Sequence, residues 1–137
     1  MGMEQERKVL IVCTHNAVRS QIAEAVVNRH VNGWTAVSAG SNPRSPHPLA
    51  LSLLQQEGYD TEGMRSKRVE EVLDDSIDMV LFVCGEADSC VHLNTAARRS
   101  RMPLPDPVAE HGDDGARAEG LRELHRRLLR ELPAALR

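Results

Sequence analysis

The chain has 137 residues, of which 41% are hydrophobic and 27% charged, with a net charge of −3. That length suits a single domain spanning residues 1–137 with one sizeable core, and the slight negative charge argues against a nucleic-acid partner held by bulk electrostatics. An aromatic content of 2%, with Trp34, Tyr59 and Phe82 alone, predicts an aliphatic core and leaves almost no stacking platform for bases or sugars.

No apolar run approaches the roughly 20 residues needed to span a bilayer. Met1 to Arg7 carries both signs of charge, unlike a signal peptide. The expectation is a cytoplasmic monomer without membrane contact. Three cysteines in such a setting point to catalytic or redox-active thiols rather than a structural disulfide framework.

The first informative stretch is Lys8 to Glu24. Val9 to Val12 reads as a short buried strand that delivers Cys13 to a loop closing on Arg19 and Ser20, the pattern C-x-x-x-x-x-R-S. Five intervening residues let successive N–H groups of Thr14, His15, Asn16, Ala17, Val18, Arg19 and Ser20 curl toward one spot, an anion-binding nest. From Ser20, apolar Ile22, Ala23, Val26 and Val27 predict a helix whose positive end faces the same spot. An oxyanion belongs there. The same surroundings favour a thiolate, which makes Cys13 a candidate nucleophile.

Asn32 and Gly33 then mark a stop, and Trp34 to Ser38 reads as a second strand ending at Ala39 and Gly40. The segment S-N-P-R-S-P-H-P must be extended or turned, and the amphipathic stretch after it forms a helix stopped by Gly58. Val69 to Leu73 predicts a short helix. Ile77 to Cys84 is the most apolar run and reads as a central strand buried on both faces, with the second cysteine at its end. G-E-A-D-S-C-V-H-L can start a helix, Arg98 to Leu104 gives a fourth short strand, and P-L-P-D-P a rigid loop. Asp113 or Asp114 caps a last helix whose apolar face holds Leu121, Leu124, Leu128 and Leu132. The alternation predicts an α/β three-layer sandwich with a small, about four-stranded parallel sheet, and ligands outside the carboxyl ends of its strands. Cys13, Cys84 and the Pro-rich loop around Asp106 all fall at that edge.

With Cys13, Arg19 and Ser20 in this strand–loop–helix context, the chain resembles the low-molecular-weight tyrosine phosphatase family over nearly its whole length. The resemblance implies a general-acid role for Asp106 in its Asp-Pro. Val108 follows where the phosphatase branch usually has an aromatic, so the wall expected for a phosphotyrosine ring is missing. Arg19-Ser20-Gln21, together with Cys84 and Cys90, is similar instead to the thioredoxin-coupled arsenate reductases of the same fold. That branch implies a nucleophile, Cys13, and two resolving cysteines, Cys84 and Cys90, acting in turn, with thioredoxin as external reductant, no bound cofactor, and phosphate or sulfate as competing oxyanions. Along a helix, Cys84 and Cys90 would lie roughly 9 Å apart, beyond the roughly 7 Å limit for a disulfide, so the intervening segment must rearrange, with Gly85 a plausible hinge.

Asn16, Glu24 and Ser38 match positions where some members bind potassium beneath the loop. Lys67 falls where those members have an acidic ligand, and its ammonium can fill the cation position, so no metal is expected. His15 stands where phosphatases have Gly and has no assigned role. Histidines 30, 47, 92, 111 and 125 show no metal-ligand spacing with the cysteines, and surface positions are expected for them. Three alternatives stay open: a small tyrosine phosphatase that keeps its extra cysteines as oxidation protection, an arsenate reductase using a low-molecular-weight thiol, and a non-catalytic oxyanion-binding or thiol-sensing module.

Overall fold

A computed structural model describes residues 6–84, 95–108 and 113–137. Four parallel strands form one sheet in the order β2-β1-β3-β4. They are β1 (Arg7–Cys13), β2 (Trp34–Gly40), β3 (Met79–Phe82) and β4 (Arg98–Arg101). The helices are α1 (Arg19–His30), α2 (Pro48–Gln56), α3 (Val69–Val72) and α4 (Asp114–Ala135). This is the small parallel sheet that the alternating pattern predicts.

The central strands are apolar without a break because both sheet faces are covered. Val9, Ile11 and Cys13 point into a large core shared with Ile22 and Val26 of α1, Leu54 of α2 and Leu121 and Leu128 of α4. Leu10 and Val12 point into a smaller one with Val69, Ile77, Val80 and Phe82. Each fully buried aliphatic side chain contributes about 1.5–3 kcal/mol, so the three-helix face carries most of the stability and fixes α1 against β1.

Element ends differ from the sequence expectation in informative ways. β2 does end at Gly40, as expected, its pairing with β1 continuing to Cys13 opposite Gly40; the later strands are the ones that differ. β3 is shorter than Ile77 to Cys84, and β4 stops at Arg101 rather than Leu104. Past Arg101 the segment stays bonded to the chain after β3, Met102 N–H to Phe82 O at 2.9 Å and Leu104 N–H to Val83 O at 3.3 Å, and Pro103 sits between them with its missing N–H on the open edge of the sheet. Asp113 is the cap of α4, its carboxylate accepting the Ala116 N–H at 2.7 Å. The helix expected from Gly85 lies outside the described residues. Among the described residues, no helix is long and apolar enough to cross a membrane.

Candidate active site

The loop from Cys13 to Arg19 is held open by its neighbours. Its carbonyls face outward and accept from the Pro-rich segment: Asn42 N–H reaches Thr14 O at 2.8 Å, Arg44 N–H reaches His15 O at 2.9 Å, and His47 N–H reaches Ala17 O at 3.0 Å. With those carbonyls turned out, peptide N–H groups are left to turn in, and Asn16 N–H lies 3.3 Å from Cys13 Sγ. The Cys13 side is backed by Gly40. A Cβ there would come within 2.6 Å of Thr14 O and 2.9 Å of Cys13 O, so only glycine permits this approach.

Asn16 is the keystone of the loop. It is fully buried and adopts a left-handed φ of 49°, a region its short polar side chain tolerates better than most. Its Oδ1 accepts the Lys67 N–H at 2.9 Å and the Gln21 amide at 3.3 Å, which fixes the amide orientation. Nδ2 then donates to Ser20 Oγ at 2.7 Å, and Ser20 Oγ lies 2.8 Å from Cys13 Sγ. Because Ser20 accepts from Asn16, its own hydroxyl hydrogen is directed at the Cys13 sulfur. The relay ties the sulfur to Asn16 through Ser20. Gln21 also donates to Asn16 O at 3.0 Å and to Arg65 O at 2.9 Å, bracing the loop from the side of residues 65–67. Ser66 donates to Asn16 O at 2.7 Å and to Arg44 O, joining the two supporting segments.

Arg19 is buried, with one amino group donating to Leu104 O at 3.2 Å and the other 4.0 Å from Asp106 Oδ2. Asp106 Oδ1 accepts the Val108 N–H at 3.1 Å, an Asx-type turn that orients the carboxyl toward Arg19. Pro107 seats against Gly120 of α4, where a Cβ would approach it to 2.9 Å. An interior helical glycine costs roughly 1 kcal/mol relative to alanine, and here it makes room for the loop that carries Asp106.

Cys84 is fully buried. Alternation along β3 would turn it toward the smaller core with Phe82, yet it joins the large core with Cys13, because the strand ends at Phe82 and the chain leaves the pleat. Its thiol lies 3.6 Å from Val12 O, the carbonyl of the peptide that precedes Cys13. Cys13 and Cys84 are both thiols, not a disulfide. Cys90 lies outside the described residues, as do His92 and His111.

Beneath the loop, Glu24 Oε1 accepts the Ser38 N–H at 2.6 Å and lies 3.9 Å from Lys67 Nζ, which also donates to Arg65 O at 2.9 Å. The Lys67 ammonium therefore sits beside Glu24. Burial pushes its pKa down, partly offset by the Glu24 charge. Ser38 supports the loop through its backbone, since its buried hydroxyl has no hydrogen-bond partner among the described residues. No three His, Cys, Asp or Glu side chains among those residues converge as a metal site.

A cleft of about 280 Å³ opens over Cys13. His15, Val18 and Arg19 line it on the loop side, and Arg44, His47, Asp106 and Val108 on the other. That volume is just below the roughly 300–1,000 Å³ of pockets for drug-sized ligands, and suits a small ion. No Phe, Tyr or Trp lines it. Two histidines depart from the surface positions expected for them. His47 lines this cleft, and His125 is buried in the α4 face, its Nε2 2.8 Å from Tyr59 Oη. Sequence reasoning also passed over Gly40, Ser66 and Gly120, whose partners lie far along the chain.

The model of the low molecular weight phosphotyrosine protein phosphatase family matches residues 8–133. The chain belongs to this family. Within it, the chain is similar to an arsenate reductase of Bacillus subtilis, 30% identical over 112 residues, which are 80% of this chain and 81% of that protein. Among solved structures, an arsenate reductase of Archaeoglobus fulgidus superposes with a TM-score of 0.73 at 32% identity, covering 89% of this chain and 96% of that one. A thioredoxin-dependent arsenate reductase of Corynebacterium glutamicum gives 0.66 at 26% identity, covering 96% of this chain and 62% of that one.

Proposed function

We propose that this protein is a cytoplasmic arsenate reductase that turns over through a Cys13, Cys84, Cys90 relay and is regenerated by thioredoxin. The observation that carries the reading is the placement of Cys84. A second thiol is buried in the same core as Cys13, against the carbonyl preceding it, and hydrolysis of a phosphocysteine by water needs no second thiol. The absence of an aromatic side chain around the cleft and the likeness to named arsenate reductases support the same conclusion.

In this reading the loop amides and Arg19 hold arsenate, an ion whose charge they complement at a preorganised site. The Cys13 thiolate attacks arsenic, and an arsenate oxygen leaves as water after accepting protons, one of them from Asp106, to give a Cys13 thioester of arsenate. The Cys84 thiolate, its proton lost to solvent or a site base, then attacks the Cys13 sulfur. An S–S bond forms, the S–As bond breaks, and its electron pair leaves with arsenic, which is reduced from As(V) to As(III) and released as arsenite. Cys90 attacks Cys84, freeing Cys13 as a thiolate and moving the disulfide outward, where the dithiol of thioredoxin reduces it. The same Cys13, Arg19 and Asp106 support slow hydrolysis of a small aryl phosphate.

The test is steady-state arsenite production with thioredoxin, thioredoxin reductase and NADPH. Arsenate-dependent NADPH consumption matched one-to-one by arsenite is the expected outcome. Arsenate-independent consumption, or none with any dithiol or low-molecular-weight thiol, contradicts the reading.

A further inference from the structure

The 42–47 segment does more than hold the loop carbonyls, because one of its side chains reaches the cleft in a fixed state. His47 is the N-cap of α2, and its Nδ1 accepts the Leu49 N–H at 3.1 Å. An Nδ1 that accepts places the ring hydrogen of the neutral imidazole on Nε2. The backbone N–H of the same residue is bonded to Ala17 O at 3.0 Å, which ties the ring's position to the loop that surrounds Cys13. The ring lines the cleft with Cys13, Arg19 and Asp106. Its Nε2–H donates to no described residue. A donor on a residue that lines the anion cleft, its ring and backbone each held by a main-chain bond and its Nε2–H without an acceptor among the described residues, is available to a ligand oxygen.

We propose that His47 is an oxyanion-binding residue, its Nε2–H donating to an oxygen of the tetrahedral anion held over Cys13. The proposal rests on the reading of this cleft as the arsenate site, and it extends the binding set from the loop amides and Arg19 to a side chain across the cleft. It also gives the free anion an advantage over an ester. A free tetraoxyanion presents acceptor oxygens in every direction, whereas an ester directs one toward its organic substituent, a poorer acceptor.

The experiment uses inorganic phosphate as probe and the alkylation of Cys13 by iodoacetamide, resolved by peptide mass mapping, as readout. His47→Asn keeps a strong N-cap for α2 and the backbone bond to Ala17, and removes only the donor in the cleft. The half-protecting phosphate concentration should rise about tenfold, the usual worth of one hydrogen bond to a charged group, with no change in Tm. The KM for arsenate should rise by a similar factor with kcat within about twofold. Unchanged protection with unchanged KM would overturn the proposal and leave His47 as a cap alone. A measurement on the parent protein guards against a misfolded variant: the His47 Nε2–H resonance should shift as phosphate saturates the site, and no shift would equally overturn it. The two readings fail separately. If the parent does not reduce arsenate but phosphate protection depends on His47, the binding residue stands and the reductase reading falls. If arsenate is reduced and His47→Asn binds phosphate as the parent does, the reverse holds.

Discussion

The main-chain N–H of Lys67 donates to Asn16 Oδ1 at 2.9 Å, so the segment after α2 is pinned to the one residue of the loop that turns left-handed. Asn16→Ala removes all three side-chain bonds, to Lys67, Gln21 and Ser20, and keeps an unfavourable φ, which costs about 1–2 kcal/mol for a residue with a Cβ. Asn16→Gly removes the bonds but relieves the φ. Both variants should lose phosphate protection of Cys13, while Asn16→Gly should be the more stable by about 1 kcal/mol in urea unfolding. Equal stability would show that the left-handed turn is not held in the folded loop.

Gly40→Ala tests the close approach behind Cys13. The atoms a Cβ meets are backbone atoms of the loop itself, so the loop must move, at a cost of about 1–3 kcal/mol typical of overpacking. Arsenate turnover should fall by more than tenfold, about 1.4 kcal/mol, and thermal unfolding should shift down in parallel. Parent-like kinetics would place the loop elsewhere.

At Gly120 the two effects oppose each other. Alanine gains roughly 1 kcal/mol of helix propensity and displaces Pro107, which precedes Val108 and follows Asp106. Gly120→Ala should therefore leave Tm near the parent value while lowering kcat, because the Asp106 carboxyl moves relative to Arg19. A stabilised variant with full activity would separate Pro107 from the positioning of Asp106.

His125 gives a pH dependence of stability. Burial, partly offset by Glu57 at 3.8 Å, pushes its pKa below the ordinary imidazole value, and His30, Arg126 and Arg29 push the same way. The unfolded chain then takes up more protons than the folded one as pH falls below about 6.5, so this contribution is complete above that pH and is lost as pH falls toward the lowered folded value. The urea midpoint should drop between about pH 7.5 and about pH 5.5, and His125→Gln should flatten that drop. An identical slope in the variant would assign the effect to other groups.

What could be read from the sequence was local. β1, the loop and the start of α1 are contiguous, so Cys13, Arg19 and Ser20 declare their geometry through spacing alone. Gly40, Ser66, Gly120 and His47 act on partners that no local pattern connects to them. Cys84 was legible as a strand-end thiol, but its turn into the Cys13 face depends on β3 leaving its pleat after Phe82, which the unbroken apolar run from Ile77 to Cys84 does not mark. His125 did carry a signal. It lies four residues after Leu121 and three before Leu128, on the apolar stripe of α4, and reading that stripe through its leucines alone hid it.

The most direct test of the relay is arsenite released in a single turnover without external reductant, with mass mapping of the disulfide that forms. The account predicts one arsenite per enzyme for the parent protein. Cys90→Ser should also release one and trap a Cys13 to Cys84 disulfide, and Cys84→Ser should release none. Stoichiometric arsenite from Cys84→Ser would contradict the account, because the electron pair that reduces arsenic would then come from somewhere other than the thiol buried beside Val12.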